Sequence, residues 1–143
     1  MAFPKAERCP CCGYLTLRPS ARPGRVVWYR NTVLTLPAAL RLPACWRCKH
    51  EPLGRDVLPP AQLEPLYRAA LCQRAALAIV RVQNYRSQRH LERMLGLSQG
   101  YLSKLRASDG VPGAPLVSLL ALLAKHPHLI GELEDYWTMP PEE

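Results

Sequence analysis

The sequence predicts a small β-rich N-terminal domain followed by an all-α domain of about five helices. Three observations support this prediction. Four of the six cysteines form two C-x2-C pairs, ten of the fifteen prolines lie before residue 66, and neither proline nor glycine occurs from Leu66 to Leu95. Because proline fixes φ and removes a backbone donor, the first part favours short strands and turns, and the second part is free to be helical.

Composition excludes several classes of protein. The chain has 143 residues, too few for a large enzyme, and a hydrophobic content of 48%, too high for a disordered polypeptide. Apolar stretches such as 75–80 are too short to cross a bilayer, and the N-terminus has no apolar segment typical of a secretory signal. We therefore expect a folded cytoplasmic protein that has no membrane partner.

The paired cysteines predict a metal site. In a reducing compartment, closely spaced thiols indicate metal ligation rather than disulfides. Each C-x2-C turn can direct two sulfurs at one ion, and Gly13 supplies the positive φ that such a turn needs. The residues 25–30 and 32–36 between the pairs have strand-forming composition, which predicts a zinc ribbon. The expected ligands of one structural Zn²⁺ per chain are Cys9, Cys12, Cys45 and Cys48.

Other potential ligands leave alternatives open. Cys11 could replace Cys9 or Cys12, but the spacing of the second pair favours Cys9 and Cys12. His50 could substitute for a thiol, and Cys72 is expected to be a buried, inert thiol. A closed four-sulfur site leaves no open position for catalysis. With neither paired carboxylates nor a nucleophile beside a base recognisable, we expect a protein that is not an enzyme.

Charge and composition divide the chain into a zinc-ribbon domain at 1–58, a helical connector at 59–80 and a helix-turn-helix domain at 81–143. Residues 1–58 carry ten Lys/Arg and three Asp/Glu, whereas residues 59–106 carry eight and two. Residues 107–143 carry one and six, so this acidic segment is expected to face away from a polyanion. The basic excess elsewhere favours a phosphate backbone as partner.

The stretch 88–106 has the spacing of a helix-turn-helix. Ser87 is the expected N-cap of the first helix, Gly96 turns the chain, and Ser98 is the expected N-cap of the second helix. Glu92 stands where the motif usually has a small residue. If it faces the neighbouring helix, either the packing angle of the helices must differ or its charge must be paired. The inward-facing residues are expected to be Leu91, Leu95, Leu97, Leu102 and Leu105.

The polar face of the second helix predicts an interface with double-stranded DNA. Gly100 would let the backbone approach closely. The residues expected to read bases are Gln99, Tyr101 and Lys104. Those expected to hold phosphates are Gln88, Arg89, Ser98, Ser103 and Arg106.

Two further helices are expected before and after Pro127. Their apolar residues recur at helical spacing and predict core packing together with a dimer surface. These residues are Leu116, Leu119, Leu120 and Leu123 in the first helix, and Leu129, Ile130, Leu133 and Trp137 in the second.

Together these motifs resemble the MqsA-type antitoxins, which join a YgiT-type zinc finger to a Cro/repressor-like helix-turn-helix domain. The match comprises the order of the two cysteine pairs, the 88–105 helix-turn-helix and the Leu-rich 119–127 segment that ends in Lys-His-Pro. The resemblance implies a bacterial, nucleoid-associated homodimer that represses its own operon at a palindromic operator. It also implies a toxin protein as partner of the zinc domain.

In that family an Asn and an Arg one turn later contact bases. The resemblance places Lys104 at the arginine position and Gly100 at the asparagine position, so Gln99 is the candidate replacement for the missing amide. A stand-alone regulator with the same two modules is an alternative, because a basic zinc domain suits an acidic partner or nucleic acid better than a basic toxin. A protein-interaction adaptor that lacks specific DNA binding is another.

Overall fold

The computed structural model describes residues 5–52 and 58–141. Within these ranges four strands precede five helices, which confirms the predicted order of a β-rich and an all-α part. The chain divides into two compact units, unit 1 (Met1–Tyr67) and unit 2 (Arg68–Glu143). Residues 1–4 and 53–57 of the predicted zinc-ribbon domain, and residues 142–143 of the predicted DNA-binding domain, lie outside the described residues.

Unit 1 contains two small antiparallel sheets. Strand β1 (Leu17–Ser20) pairs with β4 (Leu42–Cys45), and β2 (Val26–Tyr29) pairs with β3 (Thr32–Thr35). The β2–β3 hairpin confirms the two predicted strands. The β1–β4 pair has no counterpart in the sequence prediction, because Pro19 and Pro43 lie opposite each other in it and hide its strand character.

A buried arginine connects the two sheets. The Arg25 side chain is only 2% exposed, and its guanidinium donates hydrogen bonds to the carbonyl groups of Ser20 and Leu40. The carbonyl of Arg25 accepts a 2.8 Å hydrogen bond from the N–H of Leu36. Because its bonding partners lie at the end of β1, just after β3 and just before β4, this one residue joins the β1–β4 pair to the β2–β3 hairpin.

Helix α1 (Pro60–Val82) begins earlier than the proline-free stretch predicts. Pro60 suits the first helical position, where its missing N–H would have no partner in any case. Pro65 removes one further helical hydrogen bond. Two contacts within unit 1 hold this first part of the helix: Tyr29 donates to Glu64 at 2.6 Å, and Tyr67 donates to Asn31 at 2.8 Å.

Unit 2 contains the rest of α1 together with α2 (Gln88–Met94), α3 (Tyr101–Arg106), α4 (Ala114–Lys125) and α5 (His128–Thr138). The predicted N-cap of α2 is confirmed, since the Ser87 hydroxyl accepts a 3.2 Å hydrogen bond from His90 N–H. No described helix is both long and apolar enough to cross a membrane. The buried core consists of Ala78, Ile79, Val82, Leu91, Leu102, Leu105, Leu120, Leu123 and Ile130.

The acidic C-terminal segment contacts basic residues instead of only facing away from them. Glu134 of α5 accepts hydrogen bonds from Arg86 at 3.0 Å and contacts His90 at 2.8 Å. Contacts with His90 and then Arg86 lower the pKa of Glu134. Trp137, predicted to lie in the core or at a dimer surface, is 67% exposed and does not belong to the core.

The turn between α2 and α3 ends the first helix by a Schellman motif. Leu97 N–H donates to Glu92 O at 2.7 Å, and Gly96 N–H donates to Arg93 O at 3.2 Å. Gly96 has φ of +69°, as the motif requires. The predicted role of Gly96 is therefore confirmed.

The predicted Ser98 cap is wrong. Helix α3 starts at Tyr101 after Gly100, which has φ of +84° and no side chain with which to cap the helix. The carboxylate of Glu92 caps the N-terminus of α3 instead, since its Oε2 accepts a 3.1 Å hydrogen bond from Leu102 N–H. Glu92 is 3% exposed, so this hydrogen bond is buried. The unusual acid of α2 is thus the cap of α3.

Replacing Glu92 with Leu should lower the free energy of unfolding by about 2 kcal/mol, because Leu102 N–H loses a charged acceptor in a buried place. Glu92→Gln keeps an acceptor oxygen and should cost less. The measurement is urea denaturation followed by circular dichroism, with Glu132→Gln, an exposed carboxylate of α5, as the matched control. A Leu variant as stable as the wild type would contradict the capping role.

Candidate functional site

The first cysteine pair lies on a tight turn in unit 1. Cys9 N–H donates to Tyr14 O at 2.8 Å, and Gly13 N–H donates to Cys9 O at 2.9 Å. Gly13 has φ of +76°, which confirms the predicted reason for a glycine after the second thiol. This turn directs the sulfurs of Cys9 and Cys12 to the same side.

The second cysteine pair adopts the same turn, with Lys49 at the position that Gly13 occupies in the first turn. Cys45 N–H donates to His50 O at 2.9 Å, and Lys49 N–H donates to Cys45 O at 3.0 Å. Lys49 has φ of +66°, so it occupies the left-handed conformation that Gly13 occupies in the first turn. Sequence reasoning missed this equivalence because lysine carries no signal for a positive φ.

The two turns bring four sulfurs together. The thiols of Cys9, Cys12, Cys45 and Cys48 all lie within 4.8 Å of one another. The Sγ atoms of Cys9 and Cys48 are 3.6 Å apart, and those of Cys12 and Cys45 are 3.7 Å apart. A tetrahedral ion with zinc–sulfur distances of about 2.3 Å separates its sulfurs by about 3.8 Å. The four-sulfur group could therefore hold a metal ion.

The electrostatics of the group also suit a cation. Burial raises the pKa of the Cys45 thiol, but hydrogen bonds from Cys48 N–H, the Thr16 hydroxyl and Arg47 N–H lower it to about 6. The N–H of His50 lowers the pKa of Cys48, but burial and the neighbouring sulfurs raise it to about 12. Sulfurs this close cannot all be negatively charged unless a cation neutralises them. A divalent ion bound to all four removes that conflict.

Two contacts outside the sulfurs support the site, and sequence reasoning missed both. The buried Thr16 places its Oγ1 2.9 Å from the Cys45 Sγ and 3.7 Å from the Cys12 Sγ. The guanidinium carbon of Arg47 lies 3.8 Å from the centroid of the Tyr14 ring, a cation–π contact that joins the two turns. Neither Thr16 nor Arg47 has a sequence signal, because the contacts of both depend on segments that meet only in the fold.

The remaining candidate ligands lie outside the four-sulfur group. Cys11 is exposed and does not belong to this group of described residues. His50 contributes backbone groups to the second turn, and its ring is likewise outside the group. Cys72 is half-buried, not fully buried as predicted, and its thiol donates a 3.4 Å hydrogen bond to Gly110 O.

The second candidate site is the outer face of α3 in unit 2. Leu102 and Leu105 are buried on its inner face. Tyr101 is half-buried and packs against the core, so its exposed surface is small. Gln88 is also half-buried. The other residues predicted to contact DNA are exposed: Arg89, Ser98, Gln99, Ser103, Lys104 and Arg106.

A polar network joins three of these residues to one that sequence reasoning missed. Ser103 donates to Gln88 Oε1 at 2.9 Å, and Gln83 donates to the same oxygen at 3.4 Å. Arg106 donates to Gln83 Oε1 at 2.8 Å. Gln83 follows the end of α1, a position that helical periodicity does not single out. The network ties α3 to the start of α2 and leaves Lys104 free of these bonds.

Replacing Thr16 with Val should weaken metal binding about 10-fold or more, since residues that orient ligands typically contribute this much to affinity. Valine keeps the shape of the buried side chain and removes only the hydroxyl beside the Cys45 sulfur. Competition with a chromophoric chelator measures the affinity, and Thr35→Val, on an exposed position of β3, is the control. Equal affinities of both variants would contradict a supporting role for Thr16.

No protein-family model matches the chain, and no curated protein matches it. The similarity to the MqsA-type antitoxins stays a prediction, and it rests on the cysteine spacing, the helix-turn-helix pattern and the Leu-rich 119–127 segment.

Proposed function

We propose that the protein is a sequence-specific transcriptional repressor that binds double-stranded DNA through α3 and is stabilised by a structural zinc ion in unit 1. The observation that carries this proposal is the arrangement of α3. Its inner face is anchored by Leu102 and Leu105, and its N-terminus is held by Glu92. Its outer face presents Lys104 to solvent, and Gln99 is exposed in the turn just before the helix. A rigid helix with exposed polar side chains suits the major groove.

Zinc is the ion that best fits unit 1. Four thiolates in tetrahedral spacing form a closed coordination shell, which is typical of structural zinc. Unit 1 has only short two-stranded sheets, which rarely stay folded alone, so the ion would add folding free energy that the small core cannot supply. The role of the ion is to stabilise the fold, not to activate a water molecule.

Elemental analysis of the purified protein should therefore find about one zinc per chain. Cys48→Ser removes one ligand and should lose most of the metal, whereas Cys11→Ser changes an exposed thiol outside the group and should keep it. Both variants remove one sulfur, so each controls for the other. Equal zinc content in the two variants would contradict the assignment of ligands.

Electrostatics support DNA as the partner of unit 2. Arg89 and Arg93 of α2 and Lys104 of α3 are exposed and positively charged. Phosphate contacts by such side chains set the register of a protein on the duplex, while base contacts provide specificity. Because Ser103 and Arg106 already bond to Gln88 and Gln83, Gln99 and Lys104 are the best candidates for base contacts.

A symmetric dimer would place two copies of α3 about 34 Å apart on a palindromic site. The resemblance to the antitoxins suggests that this site lies upstream of the protein's own gene and that a toxin binds unit 1. Both points are part of the proposal and rest on the motifs.

In a gel-shift assay, the wild-type protein should prefer a duplex of its own upstream region over an unrelated duplex of the same length. Lys104→Ala should reduce this preference by about 5- to 150-fold, equivalent to about 1–3 kcal/mol for a lost base contact. The matched control is Lys125→Ala, which removes an exposed lysine at the end of α4.

Two results would contradict the proposal. If Lys104→Ala weakened binding equally on both duplexes, Lys104 would be a phosphate contact and not a base contact. If the wild-type protein itself showed no preference, repression of its own gene would be excluded.

A further inference from the structure

A groove of about 870 Å³ runs along the β1–β4 sheet of unit 1 and past the second cysteine turn. The role proposed above for α3 makes no use of it. Its walls include the cross-strand partners Arg18 and Ala44, the Arg22–Glu51 ion pair, and Trp46 and Lys49 of the second turn. The groove therefore combines cationic side chains with one large aromatic ring.

The charge in the groove is positive. Glu51 Oε1 lies 2.6 Å from Arg22 Nε, so the charge of this carboxylate is balanced by that of Arg22. The other carboxylate oxygen, Glu51 Oε2, is buried and does not face solvent. Arg18 and Lys49 are both exposed, and neither forms an ion pair with any residue in the described ranges 5–52 and 58–141. Two uncompensated cations thus face the same concavity and favour an anionic occupant.

The aromatic wall narrows the choice of anion. The Trp46 side chain is 61% exposed, although it is the largest apolar group that lines the groove. An indole beside two cations matches a nucleotide, whose base stacks on the ring while its phosphate approaches the positive charges. The bases of a duplex are already stacked on each other and cannot cover an indole in this way, so the match is to an unpaired strand.

We propose that this groove is a binding site for single-stranded nucleic acid, with one base stacked on Trp46 and the flanking phosphates near Arg18 and Lys49. The open, exposed walls suit a chain that continues beyond the groove better than a free nucleotide, which an enclosed pocket would surround. The basic excess of residues 1–58, ten Lys/Arg against three Asp/Glu, extends the attraction to phosphates outside the groove. This site is independent of α3.

The test uses the zinc-loaded full chain and 5′-labelled ten-nucleotide single strands of DNA and RNA, with fluorescence anisotropy as the readout. Trp46→Ala should weaken binding roughly tenfold or more. The matched control is Trp28→Ala, which removes a tryptophan of β2 that is 69% exposed in the same unit but outside the groove. Equal effects of the two substitutions would overturn the proposal.

A second variant avoids the metal-binding turn. Arg18→Gln lies on β1 and should weaken binding and reduce the slope of log affinity against log salt by about 0.7. Arg41→Gln, which removes an exposed arginine outside the groove, controls for the change in net charge. Zinc content, measured for every variant, must stay at the wild-type level for a loss of affinity to be attributed to the groove.

Direct evidence for stacking comes from a chain in which Trp28 and Trp137 are replaced by Phe, so that Trp46 is the one tryptophan left. Its fluorescence should be quenched when the oligonucleotide binds. Unchanged fluorescence, absence of binding at 50 mM salt, or equally tight binding of a mononucleotide would each overturn the proposal.

The failure of this site and the failure of the repressor proposal can be told apart. Lys104→Ala should leave single-strand binding unchanged, and Trp46→Ala should leave the preference for the upstream duplex unchanged. Loss of single-strand binding in Lys104→Ala would assign the oligonucleotide to α3 and overturn the groove site.

Discussion

The convergence of four sulfurs is the constraint on which unit 1 depends. Its sheets have two strands each, and such small sheets seldom persist in water on their own. The four thiols come from two turns separated by 32 residues, and the four described strands of unit 1 lie between the first turn and the second. Bringing the turns together therefore fixes the ends of everything that lies between them. Arg25 then joins the two sheets, since its guanidinium donates to carbonyl groups at the end of β1 and before β4, and its own carbonyl accepts a hydrogen bond from the residue after β3.

Much of this arrangement could be predicted because it follows from local chemistry. The C-x2-C spacing identified the four thiols that meet, and glycine after Cys12 indicated the left-handed turn residue. What could not be predicted depends on contacts between distant segments. Thr16 reaches Cys45 only after β1 and β4 pair, and the two prolines that face each other in that pair conceal the strands. Lys49 adopts a positive φ because the turn around it requires one, against its own preference.

In unit 2 as well, features set by nearby residues could be predicted, and features set by contacts between distant residues could not. Helix limits at Ser87 and Gly96 follow from capping rules. The apolar spacing predicts six residues of the core, Leu91, Leu102, Leu105, Leu120, Leu123 and Ile130, but it is wrong for the exposed Trp137. The N-terminus of α3 did not follow these rules, because its cap comes from another helix. Glu92 looked like a departure from the motif when judged by its position in α2, and it is explained by what it bonds to in α3.

This bond has a consequence for how the protein could change. Glu92 recognises a backbone N–H of α3, and every residue except proline offers that group at position 102. This part of the support of α3 is thereby independent of the identity of its outward side chains. Lys104 of α3, and Gln99 in the turn before it, can be exchanged without loss of this bond. Substitutions at such exposed positions can therefore change the surface chemistry of α3 while the Glu92–Leu102 bond between α2 and α3 is kept.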